Sequence, residues 1–173
     1  MNIEISLATT SEQTILENLM HLYLYDFSEM CGDDCNEQGR FEYEYLPRYW
    51  VEPGRYPFLI RVDGKLAGFA LVRQMIEREE DPTPYSIAEF FVLRKYRRLG
   101  VGSRAAFHLF DRFPGATRWQ VAEIPENIAA IHFWRRVIDA YTGGNSEEII
   151  DPVWEGPVQR FVSGDPACVP GRP

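Results

Sequence analysis

Polar and apolar residues alternate from Asn2 to Ala8, with Ile3, Ile5 and Leu7 on one side, which is the pattern of a half-buried strand. The period then changes. Ile15, Leu19, Leu22, Tyr23 and Phe27 recur at helical spacing, and Thr9, Thr10 and Ser11 precede Glu12 and Gln13 in the manner of a capping box, so a helix is expected from about 11 to 29. From 30 to 57 the chain carries Gly32, Asp33, Asp34, Gly39, Pro47, Pro53, Gly54 and Pro57, which leaves space for one short helix near Tyr45 to Val51. Phe58 to Val62 and Leu66 to Met75 are apolar, β-favouring runs joined by Asp63-Gly64-Lys65. The Asp-Gly step is a strong hairpin signal, so these runs are expected to form two antiparallel strands.

A polar loop from Glu77 to Pro84 leads into Tyr85 to Leu93, an apolar and aromatic run expected as a strand in the middle of a sheet, with Glu89 the one charge inside it. Val101, Ala105, Leu109 and Phe113 form a helical stripe over about 102 to 113, stopped by Pro114-Gly115. Thr117 to Ile124 reads as a further strand. Pro125 presets a helix start, and Ala130, Phe133, Trp134, Val137 and Tyr141 mark a helix ended by Gly143-Gly144. Ile149-Ile150 and Pro157 to Val162 are the last expected strands, and from Ser163 onward a Pro- and Gly-rich tail adds little to a core. The order implies an α+β (α/β layered) fold over 1–162, with a mixed, mostly antiparallel central sheet and helices on both faces, then a 163–173 tail.

The 173 residues suit one domain, and 45% hydrophobic residues allow a packed core. Twenty-six acids against eighteen bases give a net charge of −8, which argues against a surface built for nucleic acid. The charge is polarised. Residues 1–50 hold ten acids and two bases, whereas 91–112 hold six bases and one acid. Cys31, Cys35 and Cys168 are too few for a disulfide framework, no second Cys or His pair completes a metal site with Cys31 and Cys35, and no apolar run could span a bilayer. No metal and no membrane are therefore expected, and a cytoplasmic setting is.

The chemistry concentrates in Glu89 to Ser103, where a strand runs into a basic loop, two glycines and a helix start. Glycines let backbone N–H groups approach phosphate oxygens, and a helix N-terminus adds partial positive charge. Gly100-Val101-Gly102-Ser103-Arg104-Ala105 also fits the dinucleotide fingerprint G-x-G-x-x-A, which keeps a nucleotide-dependent oxidoreductase as a competitor. In that fold, however, the first glycine follows the strand at once, whereas here Arg94 to Leu99 intervene.

Arg97-Arg98-Leu99-Gly100-Val101-Gly102 resembles the R-x-x-G-x-G/A signature of the GCN5-related N-acetyltransferase (GNAT) superfamily. Downstream, Asn127, Ala130 and Phe133 are in register with that family's N-x-x-A-x-x-F-Y helix. The resemblance implies a GNAT-like acyl-CoA acyltransferase fold and acetyl-CoA as cosubstrate. It implies that the backbone of Phe90, Phe91 and Val92 pairs with the pantetheine arm. It also implies that Arg97, Arg98, Leu99, Gly100, Val101, Gly102 and Ser103 hold the pyrophosphate, and that Asn127 and Phe133 contact the thioester end.

Glu89, alone in an apolar strand, is the candidate base for an incoming amine, and Glu123 is the backup. The family's tyrosine acid is replaced by Trp134, whose indole is too weak an acid, so the thiolate is expected to leave unprotonated or to take its proton from water or from another tyrosine, of which Tyr141 is a candidate. The expected function is N-acetyltransfer to a small cationic amine, and the reading allows a homodimer. The remaining alternative is a non-catalytic acyl-CoA-binding or sensor protein.

Overall fold

The structure, a computed structural model, describes residues 1–75, 84–113, 117–152 and 155–164. The expected loop from Glu77, the Pro114-Gly115 stop, Cys168 and most of the tail lie outside those residues. Seven strands form one mixed sheet: β1 (Ile3–Leu7), β2 (Arg55–Val62), β3 (Lys65–Gln74), β4 (Tyr85–Val92), β5 (Thr117–Ala122), β6 (Ser146–Ile150) and β7 (Pro157–Ser163), in the order β1-β2-β3-β4-β5-β7-β6. Neighbours run antiparallel except β4 and β5, which run parallel. The β2–β3 turn holds Asp63 at φ 49° and Gly64 at φ 74°, the two left-handed residues of a tight hairpin.

Helix α1 (Gln13–Cys31) covers one face together with a 3-10 turn over Leu46–Trp50. Its buried residues are Leu16, Leu19 and Met20, packed on Leu59, Phe69, Leu71 and Phe91. This corrects the expected stripe by one position, because Leu22 turns outward and is 49% exposed. Helices α2 (Val101–Arg112) and α3 (Ile128–Thr142) cover the other face. There Phe110, Trp134 and Ile138 meet Val72, Ile87, Trp119, Val121 and Phe161. A second correction concerns the start of α3. Pro125 lies ahead of it, and the cap is Asn127, whose side-chain oxygen accepts from the Ala130 N–H at 3.1 Å.

No helix among the described residues is long and apolar enough to cross a membrane. Among those residues, no group of three or more His, Cys, Asp or Glu could hold a metal ion.

Candidate active site

Parallel pairing of β4 with β5 joins Tyr85, Ser86 and Ile87 to Trp119, Gln120 and Val121. Beyond Ile87, β4 continues to Val92 with an open side toward β5. Leu93 N–H donates to the Ala67 carbonyl and Gly68 lies opposite Val92. Antiparallel alternation from that bond turns the peptide groups of Phe90 and Val92 toward the gap and those of Phe91 into the β3 ladder. Of the three residues expected to offer backbone to a ligand arm, Phe91 is therefore committed elsewhere. The Val92 carbonyl is also engaged, accepting from Arg97 Nε at 2.7 Å. Gly68 went unnoticed in the sequence. A Cβ there would stand 2.0 Å from the Phe91 carbonyl oxygen, so only glycine lets β3 and β4 close at this point.

The signature loop leaves β4 through a 3-10 turn, Arg94–Tyr96, then passes through Arg98 at φ 61° and Gly100 at φ 78° before α2 begins. Arg104 N–H makes the first helical bond, to the Gly100 carbonyl, and no side chain caps the helix. The N–H groups of Val101, Gly102 and Ser103 have no partner among the described residues and face outward at the positive end of the helix dipole. The two glycines serve different needs. Gly100 has open space around a hypothetical Cβ but a left-handed backbone, whereas a Cβ on Gly102 would meet the Phe133 ring at 3.1 Å.

Arg97 is not free for phosphate. One of its terminal nitrogens pairs with Asp26 of α1 at 2.6 Å, and Arg94 binds the other Asp26 oxygen at 2.7 Å. Burial alone would raise the Asp26 carboxyl, but hydrogen bonds from Arg97 and Arg94 outweigh it and hold the group below the usual carboxylate range. These arginines latch the loop to α1. Arg98 and Leu99, both exposed, remain at the loop tip with Arg104 on the first turn of α2. Helix-start N–H groups and arginines without partners among the described residues, in series with an open strand edge, fit a pyrophosphate followed by a thin hydrogen-bonding arm.

Glu89 points away from α2 and α3. Pairing of β3 with β4 shifts register between Leu71 and Val72, so that Leu71 opposes Glu89 and Val72 opposes Ile87, leaving Ala88 bulged. Ile87 and Phe90 face the α2 and α3 side, while Ala88, Glu89 and Phe91 face α1. Without the bulge, simple alternation from Ile87 would put Glu89 on the opposite face. Its carboxylate accepts from Tyr23 OH at 2.5 Å and from Tyr43 OH at 2.7 Å. Burial pushes the Glu89 carboxyl up, against the two tyrosine hydrogen bonds and the charge of Arg73, which pull it down. The same burial, reinforced by the Glu89 charge, raises the Tyr23 and Tyr43 phenols.

Tyr43 also walls a cavity of about 660 Å³ between α1 and the segment leading to the 3-10 turn. Glu17, Asp33, Glu42 and Glu44 line it against a single Arg40. The sequence places Tyr23 only in a helical stripe and does not single out Tyr43, because nothing in the local pattern says that positions 66 and 46 residues from Glu89 meet on its carboxylate.

Glu123 is not brought to this site. It is buried beyond the end of β5 on the α3 side, with Gln159, Glu148 and Arg135 as its electrostatic surroundings. Burial, opposed by a Gln159 hydrogen bond and helped by the Glu148 charge, pushes its carboxyl up to about 8. The sheet separates Glu123 from the Glu89 carboxylate, so the two are not interchangeable bases. Phe133 stacks on Phe90 with ring centroids 5.9 Å apart, at the edge of the β4–β5 gap, while Trp134 is buried in the core against Phe90 and Phe110. Tyr141 cannot replace the missing acid at the gap. Two helical turns past Phe133, about 12 Å along α3, it donates to Asp111 at 2.8 Å.

A model of the Acetyltransferase (GNAT) family matches residues 16–138, a range that contains the β4–β5 pair and the glycine loop. The chain belongs to the GNAT acetyltransferase family. A search of curated proteins finds no match. Among solved structures, a GNAT-family acetyltransferase from Streptococcus agalactiae superposes with a TM-score of 0.69 at 13% identity, over 94% of this chain and 96% of the other. An acetyltransferase from Thermus thermophilus gives 0.69 at 14% identity, over 94% and 97%. The aminoglycoside acetyltransferase AAC(6')-Ib in complex with coenzyme A gives 0.63 at 19% identity, over 93% and 95%. At these identities the likeness establishes the GNAT fold, with the mixed sheet and its flanking helices.

Proposed function

We propose that this GNAT chain transfers an acetyl group from acetyl-CoA to a small cationic amine. The observation that carries the reading is the Glu89 carboxylate, held by two tyrosines, one of which, Tyr43, also walls an acid-lined cavity. One residue further along the same strand, the peptide groups facing the open β4–β5 gap begin. Acetyl-CoA supplies a thioester carbonyl that a neutral amine can attack, the C–N bond forming as the C–S bond breaks.

The chain's own groups divide the remaining work. Val101, Gly102 and Ser103 offer N–H groups to the pyrophosphate, with Arg98 and Arg104 beside it. Phe90 and the Val92 N–H offer the hydrogen bonds of a strand edge, and Phe133 closes the far wall. The strand rise puts Glu89 within about 10 Å of all these β4 groups. Glu89 attracts the ammonium, accepts its proton and leaves the amine neutral, a role suited to a carboxyl raised by burial. Fixing two reactants on one strand is worth on the order of 7–11 kcal/mol. With Trp134 buried and Tyr141 distant, the thiol departs as thiolate, which its pKa of roughly 8.5 permits near neutral pH.

Asn127 and Arg97, assigned by resemblance to the cofactor, have structural duties in this reading, as the cap of α3 and the latch to Asp26. The test is thiol release from acetyl-CoA across putrescine, spermidine, lysine, kanamycin and a peptide with a free amino terminus. Turnover of the multiply charged amines is expected. Retention on CoA resin with no turnover of any amine would favour a non-catalytic acyl-CoA-binding protein instead.

A further inference from the structure

The two hydroxyls on Glu89 are held very differently. Tyr23 lies inside α1, its ring 5.2 Å from Phe27 and 5.8 Å from both Phe69 and Phe91, wedged between helix and sheet. Tyr43 belongs to the stretch 32–45, which joins α1 to the 3-10 turn without helix or strand. It packs on the cluster that holds Leu46, Tyr49 and Phe91, but its one aromatic pairing among the described residues is with Tyr45, at 5.7 Å. The same ring walls the 660 Å³ cavity, which gives it space to turn into.

Glu89 is half-buried, and a carboxylate oxygen withdrawn from water without a donor is costly, so in the empty protein a hydroxyl on each oxygen stabilises the anion. An amine that gives its proton to Glu89 needs one of those oxygens, and the Tyr23 side is closed by packing. Resting on the reading of Glu89 as base, we infer that Tyr43 is a displaceable plug. Its hydroxyl holds Oε1 while the acceptor site is empty, and the acceptor's ammonium replaces it, turning the phenol into the cavity. Tyr23 stays on Oε2 throughout. Tyr43 is thus a positioning residue that keeps the base ionised until a cation arrives.

The groups facing Glu89 are Tyr23 from α1, Tyr43 from the joining stretch, Tyr49 from the 3-10 turn and Arg73 from β3. Of these, the inference requires only Tyr43 to leave on binding, which separates two pH profiles. The profile of kcat/KM reports the free protein, and that of kcat the loaded complex. Tyr43→Phe removes a hydrogen bond to the anion in the free protein alone. Its acid limb in kcat/KM should therefore move up by about one pH unit, while the limb in kcat stays in place. On the alkaline side the acceptor KM should fall by roughly tenfold, since the competing hydroxyl is gone. Tyr43→Met should give the same split, whereas Tyr23→Phe should move both limbs upward together.

The assay is thiol release from acetyl-CoA with whichever amine of the panel above has the highest kcat/KM. If both limbs move together in Tyr43→Phe, the hydroxyl stays on Glu89 in the complex and the inference is wrong. It is equally wrong if neither limb moves. Glu89→Gln, measured alongside, separates this failure from that of the base reading. Loss of the limb in Glu89→Gln with a joint shift in Tyr43→Phe sinks only the displacement. Persistence of the limb in Glu89→Gln, or no turnover of any amine by the parent, sinks both.

Discussion

Two glutamates with raised carboxyls, Glu89 half-buried and Glu123 buried, have opposite meanings because of what surrounds them. Glu89 meets two phenols, one of them at a cavity wall, so Glu89→Gln should lower turnover by ~10²–10⁴-fold, the range for loss of a general base. CoA affinity, measured by calorimetry, should be nearly unchanged because the loop and gap do not use that carboxylate. Glu123 lies across the sheet, and its effect is on stability. Its folded pKa, about 8, is above the unfolded value, so the protein holds the proton that the unfolded chain would release. The contribution is complete below about pH 4.3 and is lost as pH rises through about 8. Replacing Glu123 by Gln removes that dependence. The difference in melting temperature between Glu123→Gln and the parent should therefore move in favour of the variant from pH 5 to pH 8. Parallel curves over that range would show that Glu123 does not titrate there.

At the scale of elements, the turn into α2 depends on two glycines for separate reasons, and substitution can tell them apart. Gly100 needs its left-handed backbone, at φ 78°, so Gly100→Ala should cost about 1–2 kcal/mol of folding stability. Its Cβ meets nothing, so no second-site change should restore it. Gly102→Ala gains about 1 kcal/mol of helix propensity but pushes on Phe133, which must give by a few tenths of an ångström. Stability should hardly change while CoA binding weakens, and adding Phe133→Leu should recover the binding. Thermal melts and CoA calorimetry on each glycine variant, with and without Phe133→Leu, check both statements. Equal recovery of Gly100→Ala by Phe133→Leu would mean that the two glycines act alike.

Across the whole molecule the charge is arranged by face and end. The acidic N-terminal segment supplies α1 and the cavity wall, and the basic segment supplies the signature loop, with Asp26 joining the two through Arg94 and Arg97. Such a field draws a cationic amine to one side of the sheet and an anionic cofactor to its open edge. At 0.15 M salt the Debye length is about 8 Å, so exposed parts of that field are screened. The acceptor KM should rise as ionic strength increases from 0.02 to 0.15 M, roughly several-fold for a multiply charged amine. A KM indifferent to salt would assign binding to the aromatic walls alone.

The strand and helix periods, the Asp63-Gly64 hairpin and the glycine loop were legible in the chain because each is local, set by residues within one or two turns of one another. On that basis alone the layered mixed sheet and the family signature could be read. The outward turn of Leu22 and the capping of α3 by Asn127 were not, since a helix face is chosen by what the sheet offers it. The functional geometry depended still more on distant pairing. A bulge at Ala88, fixed by register against β3, decides which face Glu89 occupies, and only then can Tyr23 and Tyr43 reach it. The same sheet puts Glu123 on the far side and spends Arg97 on Asp26, because packing assigns a side chain to whichever partner the fold brings near.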